Sequence, residues 1–360
     1  MILKKIILFP FAVIYGIITS IRNLLYDWKI LKSKSFNVHT ICVGNLSIGG
    51  TGKTPHVEYL INLLKNHTKI AILSRGYKRK TNGFILANES STAFDIGDEP
   101  LQYKTKNPEL NVCADANRIN GVKKILEFPE PPNVIILDDA FQHRALDCEL
   151  KIVISEFSNL YINDYMMPAG YLRESIKGIS RADIIIISKT PQSTTPIEIR
   201  NVIKDLKPLA HQRLFFSWLE YGELKGFQNQ SDTINTLNDL FRYRIVVFTG
   251  IGNPSPMVTY LKEYASDVKH IQFPDHHSFT INDIANIKAE LDAIDGGNKI
   301  VVTTEKDAMR LMGSDLQDIA NTLPLYTLPI EVDFKDKTDE FNETIINYVR
   351  TNKFHHKKYS

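Results

Sequence analysis

Cysteine is scarce in this chain. The three present, Cys42, Cys113 and Cys148, form an odd set at spacings that match no zinc site. Cys42 and Cys113 fall in predicted strands, where a thiol behaves as a small hydrophobe, and all three read as structural in a reducing compartment. Net charge is also lacking: 43 Lys and Arg against 41 Asp and Glu leave +2 over 360 residues, which gives no electrostatic case for a nucleic-acid partner. No internal repeat and no low-complexity tract is present. The most apolar stretch, IILFPFAVIYGIITSI at 6–21, is short of the roughly 20 residues that a spanning helix needs. Pro10 and Gly16 weaken it further.

The small net charge hides a local asymmetry. Residues 1–36 hold Lys4, Lys5, Arg22, Lys29, Lys32 and Lys34 against Asp27 alone, a sum of +5 that leaves −3 for the rest. Basic charge thus travels with the most apolar segment. The preferred reading is a helix at a membrane surface, its apolar residues in the acyl boundary and Lys4, Lys5, Arg22, Lys29 and Lys32 against anionic headgroups. A helix buried in the core stays open as a second reading. A cleaved signal peptide is a third, although no small-x-small cleavage site follows.

The stretch 41–55, ICVGNLSIGGTGKTP, organises what comes after. An apolar run stops at Gly44, a glycine-rich loop follows, and Gly52-Lys53-Thr54 opens a predicted helix over 56–64. Strand, loop and helix are the context of a phosphate-binding P-loop. Its glycines let backbone N–H groups converge, and the helix N-terminus adds a partial positive charge. Ser47, Ile48, Gly49, Gly50, Thr51, Gly52, Lys53 and Thr54 fit G-x-x-x-x-G-K-[ST] with Ser47 in place of the first glycine. Lys53 is expected to reach the outer phosphates and Thr54 to ligate Mg²⁺. The strand 133–137 ends in Asp138-Asp139, where a P-loop protein keeps a carboxylate for Mg²⁺.

Apolar strands alternate with helical patterns along the chain, which predicts an α/β fold: a P-loop NTPase-like, mostly parallel sheet flanked by helices, with a second, smaller α/β domain. The expected division is a membrane-interface helix at 1–36, a P-loop domain at 37–191, a connection at 192–243, the smaller α/β domain at 244–335, and a closing helix with a basic, solvated tail at 336–360.

Other groups carry weaker signals. Asp98 and Glu99, in GDEP, are either a helix start with Asp98 as N-cap or the acceptor that a phosphoryl-transfer enzyme needs. Asp275-His276-His277 lacks metal-ligand spacing, so a histidine paired with a carboxylate is the better reading. Arg75, Arg118, Arg173 and Lys189 are candidates for phosphate or transition-state charge.

In order, GNLSIGGTGKTP, SRGY, GDEP, DANR, DDAFQH, PAGYLRE, DHH and TEKDA resemble the tetraacyldisaccharide 4′-kinases of lipid A synthesis over about residues 10 to 310. The resemblance implies an ATP- and Mg²⁺-dependent kinase acting on an acylated glucosamine disaccharide 1-phosphate. It also implies a place on the cytoplasmic face of the inner membrane, held by the N-terminal helix. It assigns Asp98 as catalytic base, His276 as its dyad partner, residues 47–54 to ATP, and Thr54, Asp138 and Asp139 to the metal. Lys53, Arg118 and Arg173, with Glu174 beside it, complete the catalytic set. Two positions depart from the family pattern. Ala140 stands where Gly is frequent, which bears on any left-handed backbone there; Tyr171 stands where Pro is frequent, on the acceptor side. A switch ATPase of the deviant Walker A sort is the competing reading. It would carry a lysine where Ile48 stands.

Overall fold

Runs of Ile and Val build the first sheet. The strand His39–Gly44 is buried along its whole length and pairs in parallel with Val134–Asp138 and Leu150–Glu156. The order continues outward as Val134–Asp138, Ile70–Ser74 and Asn111–Ala114 on one side, and Leu150–Glu156, Ile184–Ser188 and Arg213–Phe216 on the other, every pairing parallel. Near-continuous apolar runs are what a parallel sheet covered on both faces demands. The carboxyl ends of these strands carry Gly44, Ser74, Asp138, Glu156 and Ser188. This is the edge at which open α/β sheets bind ligands.

The computed structural model describes residues 2–350 apart from 228, 230, 231, 236, 237, 313 and 314, with side chains from residue 6 onward except 315. The basic tail expected at the C-terminus lies outside the described residues. The chain falls into two compact units, Met1–Arg75 with Leu110–Leu219 and Val332–Ser360, and Gly76–Glu109 with Glu220–Glu331.

That division differs from the linear one read from the sequence. Residues 76–109, with the helix Asp98–Lys106, belong to the second unit. Residues 192–219 are not a connection: they form the helix Pro196–Leu206 and the strand Arg213–Phe216, which extends the first sheet. The helix Thr338–Arg350 returns to the first unit. Phe334 stacks on Phe341 at 4.1 Å between centroids, and Phe215 and Tyr59 pack edge-on against Phe341. The Tyr348 hydroxyl donates to the Thr40 carbonyl and to Glu149. Aromatic burial, which charge patterning along the chain does not reveal, closes this unit.

The second unit has its own sheet, in the order Thr233–Ile234, Leu224–Gly226, Leu325–Leu328, Asn298–Thr304, Tyr243–Thr249 and Asp267–Gln272. The last four are mutually parallel, and Leu224–Gly226 is antiparallel to both its neighbours. Two apolar clusters flank it, one around Met257 and Leu261, the other around Phe279, Ile284 and Ile287.

The N-terminal helix, Ile2–Asp27, is not a core element. Ala12 is buried, while Ile6, Ile7, Phe11, Ile14, Ile17 and Ile18 are more than half exposed. By length and composition its stretch Ile6–Asp27 could cross a membrane. Polar ties seat its other face. The Tyr15 hydroxyl donates to the Arg173 carbonyl, Asn23 donates to Glu174 at 2.7 Å, and Arg144 bonds both the Asn23 carbonyl and Asp27. Glu174, 3% exposed, also accepts from Gln142 and Arg181.

Candidate active site

The loop after Gly44 is shaped by its backbone. Gly49 (φ 114°) and Gly52 (φ 88°) lie in the left-handed region that L side chains avoid. Ser47 does not: it forms a bridge to Leu172, which explains why the position tolerates a side chain. Ile48 donates its N–H to the Tyr171 carbonyl, and Arg173 its own to the Leu46 carbonyl. The PAGYLRE segment therefore braces the start of the loop. Tyr171 can do what a proline could not, because its N–H donates to the Asp164 carboxylate. Gly52 caps the helix Lys53–Leu64, so Lys53 and Thr54 form its first turn.

The acidic pair divides its work. Asp138, 1% exposed, accepts from the Ser74 hydroxyl at 3.3 Å. Asp139 has φ 48° and takes both contacts of Arg173 at 2.9 and 3.0 Å, with Lys53 Nζ at 3.7 Å. Burial works against its charge, but Lys53 and Arg173 hold the carboxyl below the usual range. Asp139, one of the expected metal donors, thus sits between two cations. The left-handed residue in DDAFQH is Asp139 and not Ala140, so the Ala140 departure leaves the turn intact.

Arg118 is 2% exposed and donates to the carbonyls of Asp115 and Asp138 at 2.6 and 2.9 Å. Burial lowers its pKa, and Asp138 and Asp139 oppose that shift. Two of the guanidinium nitrogens thus brace the end of the Asp138 strand. Lys189 pairs with Glu156 at 3.3 Å, and Arg75 is exposed.

Two residues the sequence reading passed over lie beneath the loop. His56 and Ser188 are both buried. His56 Nδ1 bonds the Gly52 carbonyl at 2.7 Å, and Nε2 meets the Ser217 hydroxyl at 2.8 Å. A carbonyl only accepts, so Nδ1 carries the proton. Burial, against the opposing bond to Gly52, lowers the His56 pKa to about 4 and keeps the ring neutral. The Ser188 hydroxyl donates to the Thr51 carbonyl at 2.7 Å.

In the second unit Asp98 is the first residue of the helix Asp98–Lys106; Gly97, at φ 96°, takes the capping place expected for Asp98. Asp98 Oδ1 accepts from the Glu99 N–H at 3.0 Å. Its Oδ2 meets His276 Nδ1 at 3.2 Å and Arg310 Nη2 at 2.7 Å. His276 has φ 56°, and the Tyr77 ring lies edge-on to it. Strained backbone of this kind persists where surroundings over-determine it. Burial raises the Asp98 pKa; the His276 bond and the charges of Lys306 and Arg310 outweigh it and hold the carboxyl well below the ordinary range. His277 turns to a different carboxylate, Asp283, at 3.0 Å. The adjacent histidines therefore share no ligand.

Arg310 is the residue the sequence reading missed here. Its fork spans Asp98, Asp307 at 2.6 Å and the Gly250 carbonyl at 3.0 Å. Asp307, fully buried, accepts from the Gly250 N–H and the Thr304 hydroxyl. The available signal was spacing: Arg310 follows the Asp of TEKDA by three residues, one helical turn.

These features can be set beside known proteins. The family model described as tetraacyldisaccharide-1-P 4′-kinase matches residues 4–350. A protein of Bacteroides thetaiotaomicron named tetraacyldisaccharide 4′-kinase is 43% identical, covering 96% of this chain and 93% of its own. One of the same name from Flavobacterium johnsoniae is 42% identical, covering 97% and 98%. The crystal structure of LpxK from Aquifex aeolicus in complex with ATP superimposes with a TM-score of 0.74 at 30% identity, over 96% of this chain and 99% of that one. With a phosphate loop and a histidine-bound aspartate in place, and a match along nearly its whole length, the chain belongs to the tetraacyldisaccharide-1-P 4′-kinase family.

Proposed function

We propose that this chain transfers the γ-phosphoryl group of ATP, in line, to the 4′-hydroxyl of an acylated glucosamine disaccharide 1-phosphate, the kinase step of lipid A biosynthesis. The loop amides and Lys53 hold the triphosphate. On nucleotide binding Lys53 exchanges its 3.7 Å pairing with Asp139 for the outer phosphates, while Arg173 keeps Asp139 neutralised. Asp98, ionised throughout the neutral range, accepts the hydroxyl proton, and His276 orients it. A carboxylate so weakly basic suffices because the transition state is loose and the hydroxyl gives up its proton late.

The Thr54 hydroxyl and Asp138 carboxylate, both nearly buried, are hard oxygen donors that suit Mg²⁺, which takes few protein ligands beside phosphates and water. Bound there, Mg²⁺ would neutralise charge developing on the phosphates. The N-terminal helix, apolar and exposed on one face and tied by polar side chains on the other, lies on the cytoplasmic face of the inner membrane and meets the lipid acceptor there.

The observation that carries this reading is the Asp98–His276 pairing at 3.2 Å, which an ATP-driven switch does not require. Ile48 also stands where a deviant Walker A switch carries lysine. The test is purified protein with ATP, Mg²⁺ and the lipid acceptor. One new phosphomonoester per ATP consumed is expected, with little hydrolysis when acceptor is absent. Hydrolysis that ignores the acceptor would overturn the reading in favour of the switch.

A further inference from the structure

Phosphate loops bind through N–H groups, and an N–H is aimed by whatever fixes the carbonyl of the same peptide. The peptide unit is planar and trans, so its C=O and N–H point in opposite directions. The Thr51 carbonyl belongs to the plane that carries the Gly52 N–H, and the Gly52 carbonyl to the plane that carries the Lys53 N–H. Side chains hold both carbonyls. Ser188 Oγ donates to Thr51 O at 2.7 Å and His56 Nδ1 to Gly52 O at 2.7 Å. A Cβ built on Gly52 would touch His56 and Ser188 at 3.7 to 3.8 Å, whereas one built on Gly49 or Gly50 meets nothing within 4 Å. The loop thus has an occupied inner side and an open outer one.

The inner side is itself fixed. His56 Nε2 meets the Ser217 hydroxyl, and the Ser217 N–H donates to the Ile187 carbonyl. The His56 ring sits edge-on to Phe334 at 6.1 Å. Ser188 is fully buried at the end of the neighbouring strand.

We propose that His56 and Ser188 are positioning residues for the nucleotide: by holding the Gly52 and Thr51 carbonyls inward they aim the Lys53 and Gly52 N–H groups at the phosphates. This rests on the reading that the loop binds ATP for phosphoryl transfer. Neither side chain touches the nucleotide; both act through the peptide planes between.

The test compares His56 variants with different hydrogen-bonding reach. Asn places its Nδ2 where Nδ1 stood and keeps the Gly52 bond; Gln extends to the Nε2 position and keeps only the Ser217 bond. His56→Ala and His56→Gln should raise KM for ATP, and its Kd measured without acceptor, about tenfold, the cost of one well-placed bond. KM for the lipid acceptor should stay within about twofold. His56→Asn should bring the ATP values back to within about threefold of wild type at unchanged melting temperature. Ser188→Ala should repeat the His56→Ala pattern. ATP binding that is equal in Asn and Gln variants, or ATP and acceptor KM rising together, would overturn the assignment. If wild type binds ATP but phosphorylates no lipid, the kinase reading fails, while the Kd comparison still decides the positioning role.

Discussion

Arg310 Nη2 lies 2.7 Å from Asp98 Oδ2 and 3.3 Å from His276 Nδ1. Both nitrogens converge on one carboxylate oxygen. Since Nδ1 donates to that oxygen, it does not also accept from the guanidinium. Arg310 Nε adds a third donor to Asp98 Oδ2 at 3.3 Å, while Nη1 of the same guanidinium is held by Asp307 and the Gly250 carbonyl.

Removing the fork should loosen the carboxylate. Arg310→Met is expected to lower kcat on the order of 10- to 100-fold, since a misplacement of about 1 Å can cost that much. Arg310→Lys keeps the charge but cannot span Asp98, Asp307 and Gly250 at once, so it should recover only part of the loss. Steady-state kinetics with both substrates measures this. Full activity in Arg310→Met would show that His276 alone suffices.

The pH dependence of stability follows from the same cluster. A carboxyl held below its unfolded value, near 4, contributes stability that is present above about pH 4 and lost as pH falls through the folded value. The stability difference between wild type and Asp98→Asn should therefore be flat from pH 8 to 5 and shrink below pH 4. Urea melts across this range check it. A difference that already shrinks between pH 7 and 5 would show that Asp98 is not held low.

The proposed membrane docking would use the outer face of the first helix. Ile14 and Ile18 are 56% and 61% exposed, so Ile14→Glu with Ile18→Glu should change the melting temperature little. Binding to vesicles with anionic lipid should fall at least tenfold, and KM for the acylated acceptor should rise while KM for ATP holds. Flotation and two-substrate kinetics read both. Unchanged vesicle binding would place the membrane contact elsewhere.

Much of this was legible in the sequence because the signals were local. The glycine loop, the Ile- and Val-rich strands and Asp138 at a strand end declare themselves within a few residues. Non-local relations did not. Nothing near Asp98 indicates that residues 76–109 join Glu220–Glu331, because that union depends on contacts far apart in the chain. The partners of Asp139 and Arg118 were hidden for a related reason: residue type fixes charge, but the fold decides what meets it, here Arg173 and Lys53 for Asp139 and two carbonyls for Arg118. His56 looked like a helix residue. Its burial beneath Gly52 is visible only when the sheet is assembled.

The central proposal is that Asp98 takes the proton of the acceptor hydroxyl during phosphoryl transfer. The most direct measurement is the turnover of Asp98→Ala with saturating ATP and lipid acceptor, beside its Kd for ATP. General-base assistance of this kind contributes ~10²–10⁴-fold. The account predicts a loss of that size in kcat with Kd for ATP unchanged; near-normal turnover by a folded Asp98→Ala protein would contradict it.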